Sequence, residues 1–100
     1  MPQQATRPPT EADRRHVQQI IDRHAMELPE GVRRIEFAFG EDWTGYPAVY
    51  VNLFVDPNMQ PTKEKIRQLN DYIKILHNDI IETEIGFWPY SRTFEDEQPR

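Results

Sequence analysis

The chain has 100 residues, of which 37% are hydrophobic and 29% are charged, which suits a single small domain with one core. Its 12 Lys and Arg residues against 17 Asp and Glu give a formal net charge of -5, which disfavours nucleic acid as a partner. The chain has no cysteine, so disulfides, thiolate catalysis and sulfur-ligated metal sites are excluded.

The start of the chain is rich in proline. Residues 1–9 contain three prolines and no large apolar residue after Met1, so they predict a disordered tail. No apolar stretch follows the charges near the start, and the apolar runs further along are short. We therefore expect neither a signal peptide nor a membrane contact, and a cytoplasmic protein.

The first predicted element is a helix from about Glu11 to about Glu27. Thr10 precedes it as a capping residue, and acids follow in the first turn. Apolar and weakly polar residues then recur at helical spacing. They are Val17, Ile20, Ile21, His24 and Leu28. Pro29 and Gly31 predict the end of this helix.

From Val32 the spacing changes to two, which predicts a strand with Ile35, Phe37 and Phe39 on one face. Residues 40–46 contain two glycines able to adopt positive φ, so they predict a hairpin connection. A second strand is expected over 48–55. Its aliphatic face is Val49, Val51, Leu53 and Val55, and the opposite face is Tyr50, Asn52 and Phe54.

A second helix is predicted to begin at Thr62 and to be closed by a left-handed cap at Gly86. Its apolar stripe has alternating steps of three and four. The stripe is Ile66, Leu69, Ile73, Leu76 and Ile80. The aromatic segment 87–94 then predicts a third strand, and Pro89 places that strand at a sheet edge or at a bulge. Residues 95–100 are expected to form an acidic tail.

These elements predict one α+β domain over residues 10–94, in the order helix-strand-strand-helix-strand. We expect a two-layer sandwich with both helices on one face of a small, mainly antiparallel sheet. The expected strand order is 2-1-3, in which the first strand is central and antiparallel to both neighbours.

The residues offer little for catalysis. The three histidines lack the spacing of a metal site, Ser91 is the only serine and lacks a nucleophile-elbow motif, and there is no glycine-rich phosphate loop. Adjacent Glu41 and Asp42 leave an extended backbone in opposite directions, so we expect Asp42 to shape the hairpin turn and Trp43 to cap the end of the core. We therefore predict no catalytic residue, no cofactor and no metal.

The second face of the sheet is the most informative surface. Alternation places Tyr50 and Phe54 there, with either Trp88 and Tyr90 or Phe87 and Pro89 beside them. An aromatic sheet face favours protein contact, although a helix folded over it is the alternative. RNA-binding sheets also display aromatic residues, but their aromatic-plus-basic signature is absent here. The candidate partner-binding residues are Tyr50, Phe54, Trp88, Tyr90, Trp43 and Tyr46.

The segment from Phe39 to Val49, followed later by Trp88-Pro89-Tyr90, resembles small uncharacterised bacterial proteins with a Gly-Glu-Asp-x-Thr-Gly-x-Pro-Ala segment. The resemblance implies a small cytoplasmic protein of a two-gene unit of toxin and antitoxin type, and it implies no catalytic residues. We predict a non-enzymatic protein-interaction module, an antitoxin-like or accessory subunit, that binds a protein partner or forms a homodimer. The alternative is a small ligand-binding domain or enzyme with its site at the 41–46 loop.

Overall fold

A computed structural model of the chain describes residues 8–97. The elements are α1 (Glu11–Arg23), a short 3-10 helix (Ala25–Glu27), β1 (Val32–Glu41), β2 (Pro47–Val55), α2 (Lys63–Glu82) and β3 (Trp88–Glu95). The predicted α+β class is confirmed. Of the predicted tail over 1–9, only Pro8 and Pro9 fall within the described residues, and they precede α1 without regular structure.

Helix α1 begins at a capping box and ends earlier than predicted. The Thr10 hydroxyl accepts a hydrogen bond from the Asp13 amide, and the Asp13 carboxylate accepts one from the Thr10 amide at 2.9 Å. The α-helix stops at Arg23 because His24 leaves helical geometry at φ -104 and ψ 7. The His24 carbonyl accepts a hydrogen bond from the Tyr72 hydroxyl of α2 at 2.7 Å, which ties the end of α1 to its neighbour.

The strand order is β1-β2-β3, so the predicted order 2-1-3 is wrong. Strand β2 is central: it is antiparallel to β1 and parallel to β3. Strand β3 follows β2 through α2 as a parallel crossover, and consecutive strands of this kind usually lie side by side. The charges of β1, such as Arg33, Glu36 and Glu41, also suit an edge strand better than a central one.

Pro89 lies in the other edge strand, as its missing amide hydrogen predicts. Strand β3 also extends to Glu95, one residue beyond the predicted boundary of the domain. Helix α2 ends at Glu82, four residues before the predicted cap at Gly86. Both Glu84 and Gly86 have positive φ, so the chain turns twice between α2 and β3.

The core lies on one face of β2. Val49, Val51 and Leu53 have no exposed surface and form a cluster with buried residues of both helices. The helical members of this cluster are Val17, Ile20, Ile21, Tyr72, Leu76 and Ile80. The buried stripe of α2 is therefore rotated toward Tyr72, and Ile66, which the spacing placed in the core, is half exposed.

Asp96 closes the sheet at the end away from the hairpin. Its amide donates to the Val55 carbonyl at 2.7 Å, and its buried carboxylate lies 3.8 Å from Arg33 and 3.5 Å from Arg34 of β1. This group, which we call the Asp96 clamp, joins the two outer strands across the end of β2. Residues 95 and 96 therefore belong to the folded domain, whereas residues 98–100 of the predicted acidic tail lie outside the described residues.

Within residues 8–97, no helix combines the length and the apolar character that crossing a membrane requires.

Leu76→Ala should lower the free energy of unfolding by about 2–5 kcal/mol, because it removes a fully buried side chain from the centre of the cluster. Ile66→Ala on the same helix should change it by less than about 1 kcal/mol, since Ile66 is half exposed. Urea unfolding followed by circular dichroism measures both values. Equal losses in the two variants would contradict the assignment of the buried stripe.

Candidate functional site

The face of the sheet opposite the core, which we call the open face, consists of four rows that run across the three strands. From the hairpin end, the rows are Gly40-Ala48-Trp88, Ala38-Tyr50-Tyr90, Glu36-Asn52-Arg92 and Arg34-Phe54-Phe94. Of the two possibilities that the sequence left open for β3, Trp88 and Tyr90 share this face. Phe87 and Pro89 are instead buried. In every row the β3 residue is either aromatic or arginine.

The aromatic residues of the open face pack in pairs across β2 and β3. Tyr50 stacks on Tyr90 with ring centroids 5.7 Å apart, and Phe54 stacks on Phe94 at 5.4 Å. The guanidinium group of Arg92 lies 4.3 Å from the Tyr50 ring centroid, and that of Arg34 lies 3.8 Å from the Phe54 ring centroid. The side chains are thus held in place before any partner binds.

Much of this aromatic surface is exposed. Trp88 has 55% of its surface exposed and Phe94 has 41%, while both helices contribute their buried residues to the cluster on the other face. Both helices therefore lie on the core side of the sheet, and neither folds over the open face as the alternative required. The exposed aromatic side chains form a patch on this face that neither helix covers.

Asp42 organises the hairpin turn, as its position predicts. One carboxylate oxygen accepts hydrogen bonds from the Thr44 amide at 2.9 Å, the Thr44 hydroxyl at 2.7 Å and the Tyr46 amide at 3.0 Å. The other oxygen accepts from the Tyr90 hydroxyl at 3.0 Å, so the turn is bound to β3. Gly45 supplies the positive φ that the turn requires.

These contacts also tune the acidity of both groups. The hydrogen bond from the Thr44 hydroxyl is the main cause that lowers the pKa of Asp42 to about 2, so this carboxylate is ionised at neutral pH. Partial burial first, and then the Asp42 carboxylate, raise the pKa of Tyr90. Tyr90 thus stays a protonated donor that holds the turn.

Trp43 does not cap the core, so that prediction is wrong. Its side chain is 83% exposed and touches the edge of the Tyr90 ring at a centroid distance of 5.7 Å. Residue 43 lies at the tip of a turn that Asp42 holds away from the core, which is why its indole group extends the aromatic surface instead. Tyr46 is also exposed and lines a groove together with Trp88 and Tyr90, so the candidate residues of the loop adjoin those of the sheet.

A groove of about 530 Å³ lies between the hairpin turn, the end of α2 and the start of β3. Its apolar wall comes from Ile80, Ile81, Ile85 and Phe87. The lining also includes Asp42, Tyr46, Trp88 and Tyr90, together with Glu84, which follows the end of α2. The sequence predicted the loop residues of this site but not Ile81, Glu84 or Ile85, because only the fold brings the 81–86 segment to the hairpin.

His77 and Ser91 meet in a contact that the sequence did not reveal. The His77 Nε2 atom lies 2.6 Å from the Ser91 hydroxyl, and burial lowers the pKa of the imidazole. A serine beside a neutral histidine is the arrangement of a nucleophile and its base, but neither side chain lines the groove. We interpret the pair as a link between α2 and β3.

Among residues 8–97, no three His, Asp or Glu side chains come together as a metal site would require. The 41–46 loop contains two acids, Glu41 and Asp42, but only the Asp42 carboxylate holds the turn, and one of its oxygens accepts three hydrogen bonds from Thr44 and Tyr46. Chemistry that depends on paired acids is therefore not supported by the loop geometry.

No family model, no curated protein and no solved structure matches the chain.

Asp42→Ala should destabilise the protein, whereas Glu41→Ala should be nearly silent, because only the Asp42 carboxylate holds the turn. The folded-state pKa is depressed, so this stabilisation is fully present above 3.8 and is lost as the pH falls toward about 2. Thermal melts at neutral pH and at acidic pH measure the effect. If the two variants melt together at neutral pH, the role of Asp42 in the turn is refuted.

His77→Gln should make stability less sensitive to acid. Because burial depresses the folded-state pKa of His77 below 6.5, the unfolded chain binds more protons, and stability falls as the pH drops through 6.5 and below. Urea midpoints between about pH 7.5 and about pH 5 should therefore fall less in this variant than in wild type. His16→Gln, an exposed histidine on α1, is the matched control and should retain the wild-type slope.

Proposed function

We propose that this chain is a non-enzymatic protein-interaction module and that its partner on the open face is a second copy of itself. The observation that carries the proposal is the arrangement of the rows. Strand β1 presents small or charged residues on this face, and β3 presents large aromatic residues and arginine in the same rows. The two outer strands are thus complementary to each other.

The composition of the face supports a protein interface. Tyrosine, tryptophan, phenylalanine and arginine, which are enriched in interface centres, dominate the face, and none of the twelve residues in its four rows is lysine. The stacked pairs Tyr50-Tyr90 and Phe54-Phe94 are already ordered in the single chain. Binding therefore costs little additional side-chain entropy.

A twofold axis parallel to β2 explains why the occupant is a second copy. Rotation about this axis places β1 of one copy over β3 of the other and keeps each row in register. In the two central rows, Ala38 then faces Tyr90 and Glu36 faces Arg92 of the second copy. Two sheets packed face to face lie about 10 Å apart and rotated by about 30°, so the central rows keep this correspondence best.

The size and charge of these groups match. Ala38 leaves room in front of it for the Tyr90 ring, and the Glu36 carboxylate meets the Arg92 guanidinium. Within one chain, Arg92 bonds to Asn52 and Glu36 pairs with Arg34, so the Glu36–Arg92 pair belongs only to the dimer. A closed twofold arrangement forms each contact twice.

The area of the face sets the expected affinity. Three strands about 4.8 Å apart, with eight residues at about 3.3 Å each along β3, span roughly 14 by 26 Å. Standard interfaces bury about 800 Å² on each partner, so this face is small even when the surface of its protruding aromatic side chains is counted. We therefore propose a dimer with a dissociation constant in the micromolar range.

The role of an antitoxin-like or accessory subunit, which the resemblance to bacterial two-gene units implied, stays a prediction. The expected absence of nucleic-acid binding is also a prediction, which the net charge of -5 of the chain supports, although the open face itself carries Arg34 and Arg92 beside Glu36. Binding of single-stranded RNA to this face would contradict the proposal.

The test is sedimentation equilibrium of wild type and charge-reversed variants between about 5 µM and about 1 mM. Wild type should shift from monomer to dimer over this range. Glu36→Arg and Arg92→Glu should each remain monomeric, and the double variant should regain dimerisation because it restores both ion pairs with reversed sign. Ala38→Trp should also be monomeric, because its indole collides with Tyr90 of the second copy.

Two charge reversals on α2 serve as matched controls. Glu82→Arg and Lys63→Glu alter exposed residues away from the face and should dimerise like wild type. A monomeric wild type at the highest concentration would refute self-association. Dimerisation of wild type without rescue in the double variant would refute the twofold pairing.

A further inference from the structure

The groove beside the open face has a chemistry of its own. Its wall is formed by isoleucine and phenylalanine, and its rim carries the phenols of Tyr46 and Tyr90 and the indole of Trp88. Its volume of about 530 Å³ is in the range of sites that bind small molecules. An occupant of this groove must therefore have an apolar body.

The charges at the groove are all negative. Asp42 and Glu84 are the ionisable acids among the described residues that line it, and none of these residues is Lys, Arg or His. In the part of the chain that the structure describes, the ion pairs involve other carboxylates, so neither acid is neutralised by a cation. An occupant with a positive charge is complementary to this site.

The Asp42 carboxylate remains available to such a charge. One of its oxygens accepts three hydrogen bonds from the turn, but the other accepts only the Tyr90 hydroxyl and retains a free lone pair. The rings of Tyr90 and Trp88 line the same groove, and the faces of such rings attract organic cations.

We infer that the groove binds a small organic cation, an ammonium group carried on an apolar aryl or alkyl body. The apolar body lies against the exposed side chains of Ile81, Tyr46 and Trp88, and the ammonium group lies between Asp42 and Glu84. The groove shares Trp88 and Tyr90 with the open face, but Ile81, Glu84 and Ile85 lie outside the proposed dimer contact.

The experiment titrates the full chain with three matched probes: phenylbutylammonium, phenylbutanol and phenylbutyrate. Methyl NMR of isoleucine reports binding at Ile81 and Ile85. We expect the ammonium probe to shift both methyl groups and to bind about two- to fivefold more tightly than the alcohol, which is the range for one exposed ion pair. The carboxylate probe should bind most weakly.

Variants at the groove test which residues contact the ammonium group and the apolar body. Glu84→Gln should weaken the ammonium probe about two- to fivefold and leave the alcohol unchanged. Glu82→Gln, which alters an exposed acid that does not line the groove, is the matched control and should bind as wild type does. Ile81→Trp should fill the groove and weaken all three probes.

Equal affinity for the three probes, or an equal effect of Glu84→Gln and Glu82→Gln, would overturn the inference. The absence of shifts at Ile81 and Ile85 would overturn it as well. The monomeric Ala38→Trp variant should bind the ammonium probe like wild type, so the result does not depend on whether the chain dimerises.

Discussion

The central position of β2 is the constraint on which the structure depends. A strand with neighbours on both sides satisfies its backbone groups within the sheet, and Val49, Val51 and Leu53 can then be fully buried beneath both helices. The same alternation directs Tyr50, Asn52 and Phe54 away from the core. The open face is thus the unavoidable reverse side of the strand that forms the core, and neither helix remains to cover it.

The periodic signals of the sequence were sufficient for the elements and for the side chains on each face of β2, because a spacing of two fixes the face of every residue. The periodic signals were insufficient for the strand order, because the apolar alternation in β1 and β2 does not determine which of these strands pairs with β3. The crossover through α2 decided it in favour of β2. The role of Asp42 was also accessible, since its hydrogen bonds are local in sequence.

Long-range contacts were beyond the sequence for a physical reason. His77 and Ser91 lie on different elements, and their contact requires the register between α2 and β3. Glu84, which lines the groove, has positive φ, a conformation that glycine favours and that nothing in the local sequence indicates. The burial of Asp96 is not evident from the sequence, because an acidic residue in a charged segment is ordinarily solvated, whereas in the fold its carboxylate lies near Arg33 and Arg34 of β1.

The Asp96 clamp has a consequence for how the protein moves. It joins the outer strands at one end of β2, while at the other end the hairpin turn is bound to β3 by the Asp42–Tyr90 hydrogen bond. If the outer strands separate locally from β2, they remain joined at the Asp96 clamp and move furthest at the hairpin end, beside the groove. Amide protons near the hairpin would then exchange with solvent faster than those near Val55, and the groove could widen around a bulky guest without disrupting the core.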